Sequence, residues 1–204
     1  MTFMFAAVLG YILGSIPFGL VITKLAGLGD IREIGSGNIG ATNVLRTGRK
    51  DLALATLLLD SGKGAIAVGI AYALNWHPEI AGAAAFLGHC FPVWLGFKGG
   101  KGVATFLGTL IAIWFWAGVF ACLTWLLVAF VSRYSSLSAL TAAAAAPLIM
   151  FAMGKPSFAA AALFMAALIF VRHKDNIVRL WRGDEPKIGR AGKGPAGGTP
   201  VEPA

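Results

Sequence analysis

The polar positions of this chain fall in clusters, and the apolar stretches between them are far longer than a soluble helix or strand needs. The first runs from Phe3 to Leu25. The second runs from Leu52 to Leu74 with only Asp60 and Lys63 interrupting it, and the third from Ile80 to Phe97. Asn75, Trp76, His77 and Pro78 read as the turn between the last two. A hydrocarbon core of about 30 Å asks for roughly 20 apolar residues per helical crossing, so these runs predict transmembrane helices. No small-residue cleavage site follows a charged start, so the first is expected to be retained. Val103 to Val131 would be about 43 Å long as one helix at 1.5 Å per residue, too long unless strongly tilted. Trp114, Phe115, Trp116 and Gly118 at its middle predict an interfacial turn between two shorter helices. Leu137 to Val171 breaks at Gly154, Lys155 and Pro156. The pattern predicts an all-α polytopic membrane protein with seven transmembrane helices; five result if both long stretches cross once.

Composition agrees. Of 204 residues, 57% are hydrophobic and 13% charged, which excludes a water-soluble domain with a charged shell. The formal charge of +8 would suggest nucleic acid in a soluble protein. Here its distribution matters instead. The basic segments Arg32 to Lys50, Lys98 to Lys101, Arg133 and the tail from Arg172 to Lys193 share one side only if the number of crossings is odd. The positive-inside rule then puts the N terminus outside and the C terminus in the cytoplasm, with Lys155 alone among the outer turns. Cys90 and Cys122 have no spacing that implies a disulfide or a metal site and read as structural. Residues 1–187 are expected to form one membrane domain, and 188–204, rich in glycine and poor in apolar residues, a disordered tail.

All the unusual polar chemistry lies on this one face. Gly35-Ser36-Gly37-Asn38-Ile39-Gly40-Ala41-Thr42-Asn43-Val44-Leu45-Arg46 offers glycines whose positive φ lets successive N–H groups point at one anion. Ser36, Asn38, Thr42 and Asn43 add donors, and Arg46 a two-pronged charge. The letters also fit the dinucleotide pattern G-x-G-x-x-G, but no strand precedes them and no βαβ unit surrounds them. An ordinary glycine-rich turn is the plainer alternative. A second loop, Gly96 to Thr105, leads Lys101 into a predicted helix start, where free N–H groups and partial positive charge favour phosphate. Its spacing is one short of a Walker A loop; the plainer alternative is a headgroup anchor. Asp60 and Lys63 either neutralise each other within the membrane or let Lys63 reach a ligand held by these loops. His173 and Asn176 share a helical face. His77 reads as turn decoration, and His89 either packs or approaches the Lys101 loop.

Two phosphate-type sites facing one another at a membrane surface point to a reaction between an anionic lipid precursor and a second phosphorylated molecule. No G-x-S-x-G elbow, no His followed four residues later by Asp, and no carboxylate–histidine metal cluster is present, so covalent and metal-assisted chemistry are disfavoured. A transporter for a phosphorylated small solute is the competing class. It would need polar groups continuing outward, where the turns offer little besides His77, Glu79 and Lys155. A structural membrane protein with headgroup-binding loops leaves the Ser36 to Arg46 pattern unexplained.

At these residues the chain resembles the small membrane-integral acyl-phosphate:glycerol-3-phosphate acyltransferases of bacteria. The resemblance rests on Gly35 to Arg46, Gly99 to Thr105, and His173 to Arg179 continuing through Gly183, Glu185 and Lys187, supported by Ser15 to Gly19 and Asp60 to Gly64. It implies acyl transfer from acyl phosphate to the sn-1 hydroxyl of glycerol 3-phosphate, giving lysophosphatidic acid and phosphate, the first step of phospholipid biosynthesis. It also implies a multi-pass protein of the bacterial inner membrane whose active site faces the cytoplasm. By this resemblance Ser36, Arg46, Lys101, His173 and Asn176 are expected to be catalytic. Gly35, Gly37, Asn38, Gly40, Thr42, Asn43, Arg49, Lys63, Gly99, Gly100, Gly102, Thr105 and Ser136 are expected to bind substrate, and Asp60 and Glu185 to be structural. No metal, cofactor, nucleic acid or obligate protein partner is expected beyond the two substrates and membrane lipid. Ser135 departs from the apolar residue relatives commonly carry.

Overall fold

The apolar runs fold as helix, apart from the end of the third beyond Cys90, and the breaks fall where proline, glycine or an aromatic corner interrupts them. The structure is a computed structural model and describes residues 1–188. These form α1 (Thr2–Gly14), α2 (Phe18–Leu25), α3 (Ala41–Val44), α4 (Lys50–Ala73), α5 (Pro78–Cys90), α6 (Val103–Ile113), α7 (Phe115–Ser132), α8 (Ser135–Ala152), α9 (Pro156–Arg172) and α10 (Lys174–Arg182). The expected breaks at Trp114 and at Gly154–Pro156 are present: Trp114 is extended at φ −150°, and Gly154 takes φ +69°. One break is new. The first run divides at Ser15–Pro17, because proline lacks an N–H and clashes with the preceding turn.

By length and composition α1 with α2, α4, α7 and α8 suffice to cross a bilayer, and α9 with α10, bent by 60°, makes a fifth candidate. The helices α5 and α6, of 13 and 11 residues, are shorter than the roughly 20 a crossing asks for and lie inside the bundle. The helix α1 packs on α5, α4 on α6, and α8 between α7 and α9. Because lipid is as apolar as leucine, such contacts rest on close approach, and small residues supply it. A side chain at Gly14 would collide with the Ala85 backbone of α5. The core proper is Phe86, Phe106, Leu110, Met150, Met165 and Ile169, while Leu127, Phe130, Leu148 and Phe151 face outward, as lipid-facing positions should.

The two ends of the bundle differ in chemistry. At one, Phe5 stacks on Trp76 at 5.6 Å and Lys155 stands 3.9 Å over the Trp114 ring. The other gathers the three loops that the sequence marks as unusual. There the Ile188 N–H bonds to the Arg133 carbonyl at 2.7 Å, tying down the residue where the tail was expected to begin. The rest of that expected tail lies outside the described residues.

Candidate active site

Three segments distant in sequence line one cleft of about 330 Å³: Ser36, Gly37 and Asn38; Phe91, Gly99 and Lys101; and Val171, Arg172, Lys174 and Asp175. The first segment is shaped by Asn43, which is 1% exposed. Its Nδ2 donates to the Ile31 and Ile34 carbonyls, both at 2.9 Å. Its Oδ1 accepts from the Ser36 N–H at 2.9 Å, the Ser36 hydroxyl at 3.1 Å and the Arg46 guanidinium at 3.3 Å. Gly35, at φ +59°, must be glycine, since a Cβ there would meet Asn43 and Arg46. These bonds correct two expectations. Asn43 is the internal tie of the loop and has no hydrogen left for a substrate. Nor do successive amides point at one anion, because the Gly37 N–H is also taken, by Ile34.

The second segment is likewise anchored inward. The Gly99 and Gly100 amides bond to the Cys90 and His89 carbonyls at 3.1 and 3.0 Å, and their own carbonyls accept from Arg172 at 2.7 and 3.2 Å. So these glycines shape the turn instead of cradling phosphate. Gly102, at φ +82°, sits against Phe86 and Cys90 and starts α6. The first-turn amides of α6, Val103 to Thr105, have no backbone acceptor among the described residues, as at any helix start. Lys101 stands beside them and donates to Asn176 Oδ1.

The third segment closes a polar network. Glu185 accepts at Oε1 from Ser136 and Asn176, each at 2.6 Å, and at Oε2 from Arg179 at 2.7 Å. Burial pushes this carboxyl up, but the three donors outweigh it and hold Glu185 below the usual carboxylate range. Burial, reinforced by Arg179, pushes the Lys101 ammonium down to about 8, with Glu185 opposing. His173, 3% exposed, is pushed down to about 4, chiefly by burial and against the bond its Nδ1 makes to the Ile169 carbonyl at 2.8 Å. At neutral pH it is uncharged. With Nδ1–H donating, Nε2 carries a lone pair. Burial also lowers Arg46, with Glu185 opposing and Arg179 reinforcing.

Several residues expected at the substrate are placed elsewhere. Ser136 gives its hydroxyl to Glu185 and is buried. Arg49 pairs with Asp51 at 2.6 Å on the surface, and Thr42 lies 3.3 Å from Ser135. Gly40 starts the short α3, and Thr105 is fully buried, its side chain against Gly64. Lys63 does not reach the loops. Its Nζ donates to the Ile16 carbonyl at 2.9 Å and to His89 Nδ1 at 2.8 Å, and forms an ion pair with Asp60 Oδ1 at 2.9 Å. Conversely, Arg172, Lys174, Asp175 and Phe91 line the cleft without having been singled out. Arg172 and Lys174 flank His173, and that adjacency was the available signal.

The family model for glycerol-3-phosphate acyltransferase matches residues 4–183. The glycerol-3-phosphate acyltransferase of Cereibacter sphaeroides is 63% identical over 185 residues, covering 90% of this chain and 88% of its own length. That of Caulobacter vibrioides is 60% identical over 203 residues, covering 97% and 92%. Among solved structures, the integral membrane glycerol 3-phosphate acyltransferase PlsY (YgiH) in its glycerol 3-phosphate form matches with a TM-score of 0.88 at 42% identity, over 93% of this chain and 96% of that one. Its lysophosphatidic acid form matches with a TM-score of 0.85 at 41% identity.

Proposed function

The chain belongs to the glycerol-3-phosphate acyltransferase family, and on that premise we propose that it moves a fatty acyl group from acyl phosphate to the sn-1 hydroxyl of glycerol 3-phosphate. Lysophosphatidic acid and inorganic phosphate leave. The observation that carries this reading is the cleft itself, where Ser36, Lys101 and the Arg172–Asp175 turn meet at the bundle end that holds the basic loops. The excess of Lys and Arg at this end supports a cytoplasmic site with the N terminus outside, and the reading takes the membrane to be the bacterial inner membrane.

An acyl phosphate is a mixed anhydride and already activated, so alignment and charge stabilisation supply most of the rate. Lys101, Arg46 and the free amides at the start of α6 neutralise phosphate charge. Ser36 can turn its hydroxyl toward a bound anion cheaply, because Asn43 Oδ1 keeps two other donors. Neutral His173 offers Nε2 as an acceptor that orients the glycerol hydroxyl. Asn176, between Lys101 and Glu185, holds the ammonium in place. The hydroxyl oxygen attacks the acyl carbonyl, the carbonyl–phosphate bond breaks, and phosphate departs with the electron pair. The hydroxyl proton passes to a phosphate oxygen, so no strong enzyme base is required. Purified protein in lipid vesicles, given glycerol 3-phosphate with acyl phosphate or acyl-CoA, tests this directly. Lysophosphatidic acid from acyl phosphate alone, lost in Ser36→Ala, is the expected result. No product from either donor in folded protein refutes it and sends attention to solute uptake.

A further inference from the structure

The Gly99–Gly100 turn, which carries Lys101, is gripped on two sides by groups to which the reaction above assigns no role. Beneath it lies His89, 4% exposed, whose carbonyl binds the Gly100 amide. Its ring sits so close under Gly100 that a Cβ there would strike Nε2, Cε1 and Cδ2. An ammonium can only donate, so Lys63 Nζ at 2.8 Å fixes Nδ1 as an acceptor and the proton on Nε2, the edge that faces the turn. Lys63 is itself fixed by Asp60 and by the Ile16 carbonyl at the α1–α2 break. The ring therefore cannot tilt without breaking its buried hydrogen bond to a lysine that is itself held in an ion pair. Above the turn, Arg172 forks onto both glycine carbonyls while its guanidinium lies 5.4 Å over the Phe91 ring.

We propose that His89, locked by Lys63 and Asp60, and Arg172 are positioning residues that clamp the Gly99–Gly100 turn from opposite sides and so set where the Lys101 ammonium stands. The inference rests on the reading that Lys101 holds a substrate phosphate. It assigns the buried polar group in the membrane a part in that site, through packing instead of contact with substrate. A misplacement of about 1 Å at a distance from the chemistry can cost roughly a hundredfold in rate, so the clamp is expected to be visible in kinetics.

His89→Asn separates positioning from folding. The asparagine Oδ1 reproduces the Nδ1 acceptor for Lys63, but the ring edge beneath Gly100 is gone. Arg172→Lys keeps the charge and loses the two-pronged grip. Purified variants in vesicles are expected to melt near the wild-type temperature, while kcat/KM falls roughly tenfold to a hundredfold. The alkaline limb that Lys101 contributes should also move to higher pH as the ammonium gains water. Wild-type kinetics and an unmoved limb in both folded variants overturn the proposal and leave the triad a structural tie. Should His89→Asn fail to fold, Arg172→Lys alone decides by the same two readouts. Lys101→Met is measured alongside. If it retains full activity, the reading of Lys101 falls; if it is inactive while both clamp variants behave as wild type, only the clamp falls.

Discussion

Replacing Asn43 by alanine tests whether the Ser36 loop is held shut from within or by its substrate. The side chain makes two bonds of 2.9 Å to the Ile31 and Ile34 carbonyls and one of 2.9 Å from the Ser36 amide. In the variant the two carbonyls keep a second partner each, since the Ile34 amide bonds to Ile31 and the Gly37 amide to Ile34. The Ser36 amide keeps none. Three directed bonds at a net 0.5–1.5 kcal/mol each sum to about 1.5–4.5 kcal/mol. At 1.4 kcal/mol per factor of ten, the open loop gains roughly tenfold to a thousandfold in population. Limited trypsin digestion of the protein in vesicles, without substrates, reads this as faster cleavage after Arg32, Arg46 and Arg49. Asn43→Asp retains the acceptor for Ser36 but turns a carboxylate toward two carbonyls, so it should open the loop at least as much. A variant cleaved at the wild-type rate, with nothing changed but a higher KM, would mean that Asn43 touches substrate, and the argument from its saturated amide would be wrong.

Three further outcomes are expected. Lys101, held at about 8 by burial, loses its positive charge as pH rises through that value, so kcat/KM should fall on an alkaline limb near 8. Lys101→Arg, cationic at every accessible pH, should lose that limb, and its persistence would assign the limb elsewhere. Lys63→Met leaves Asp60 buried without its main partner and should cost about 3–5 kcal/mol in thermal or denaturant unfolding. Adding Asp60→Asn should restore a large part of this; additive losses in that cycle would deny the ion pair any coupling. Gly14→Val forces a branched side chain against the Ala85 backbone of α5 and should destabilise by about 1–3 kcal/mol, read as a lower melting temperature in detergent.

What the sequence made legible follows from what is local. The breaks at Trp114 and Gly154–Pro156 were readable because the interrupting residues stand in the runs they divide. Pro17 was as visible as Pro156 and has Gly19 as near as Gly154 stands to Pro156, yet no charge lies beside it, and hydropathy carried the reading across. The polar loops at one end of the bundle were recognisable as functional from glycine, hydroxyl and basic residues together. The direction of their amides was not, because that is set by partners elsewhere: Asn43 for Ser36, and the last carbonyls of α5 for Gly99 and Gly100. Arg172 escaped notice because an arginine at the end of an apolar helix ordinarily extends its charge to the interface. Only its two bonds to carbonyls 72 and 73 residues away in the chain give it a different part.

The Asp60–Lys63 pair shows where spacing stops being informative. Three residues apart on one helix, they face the same side, and that fact fits both a neutralised pair and a lysine free to reach a ligand. The question turns on how many of the three ammonium hydrogens are already taken. The answer lies on other elements, with His89 on α5 and the Ile16 carbonyl at the break between α1 and α2. A polar residue in a membrane helix is therefore better judged by its unfilled bonds than by its presence. By that measure Lys63 is engaged on three sides by buried partners, whereas Lys101, held among the described residues by Asn176 alone and desolvated beside a helix start, keeps donors for an anion.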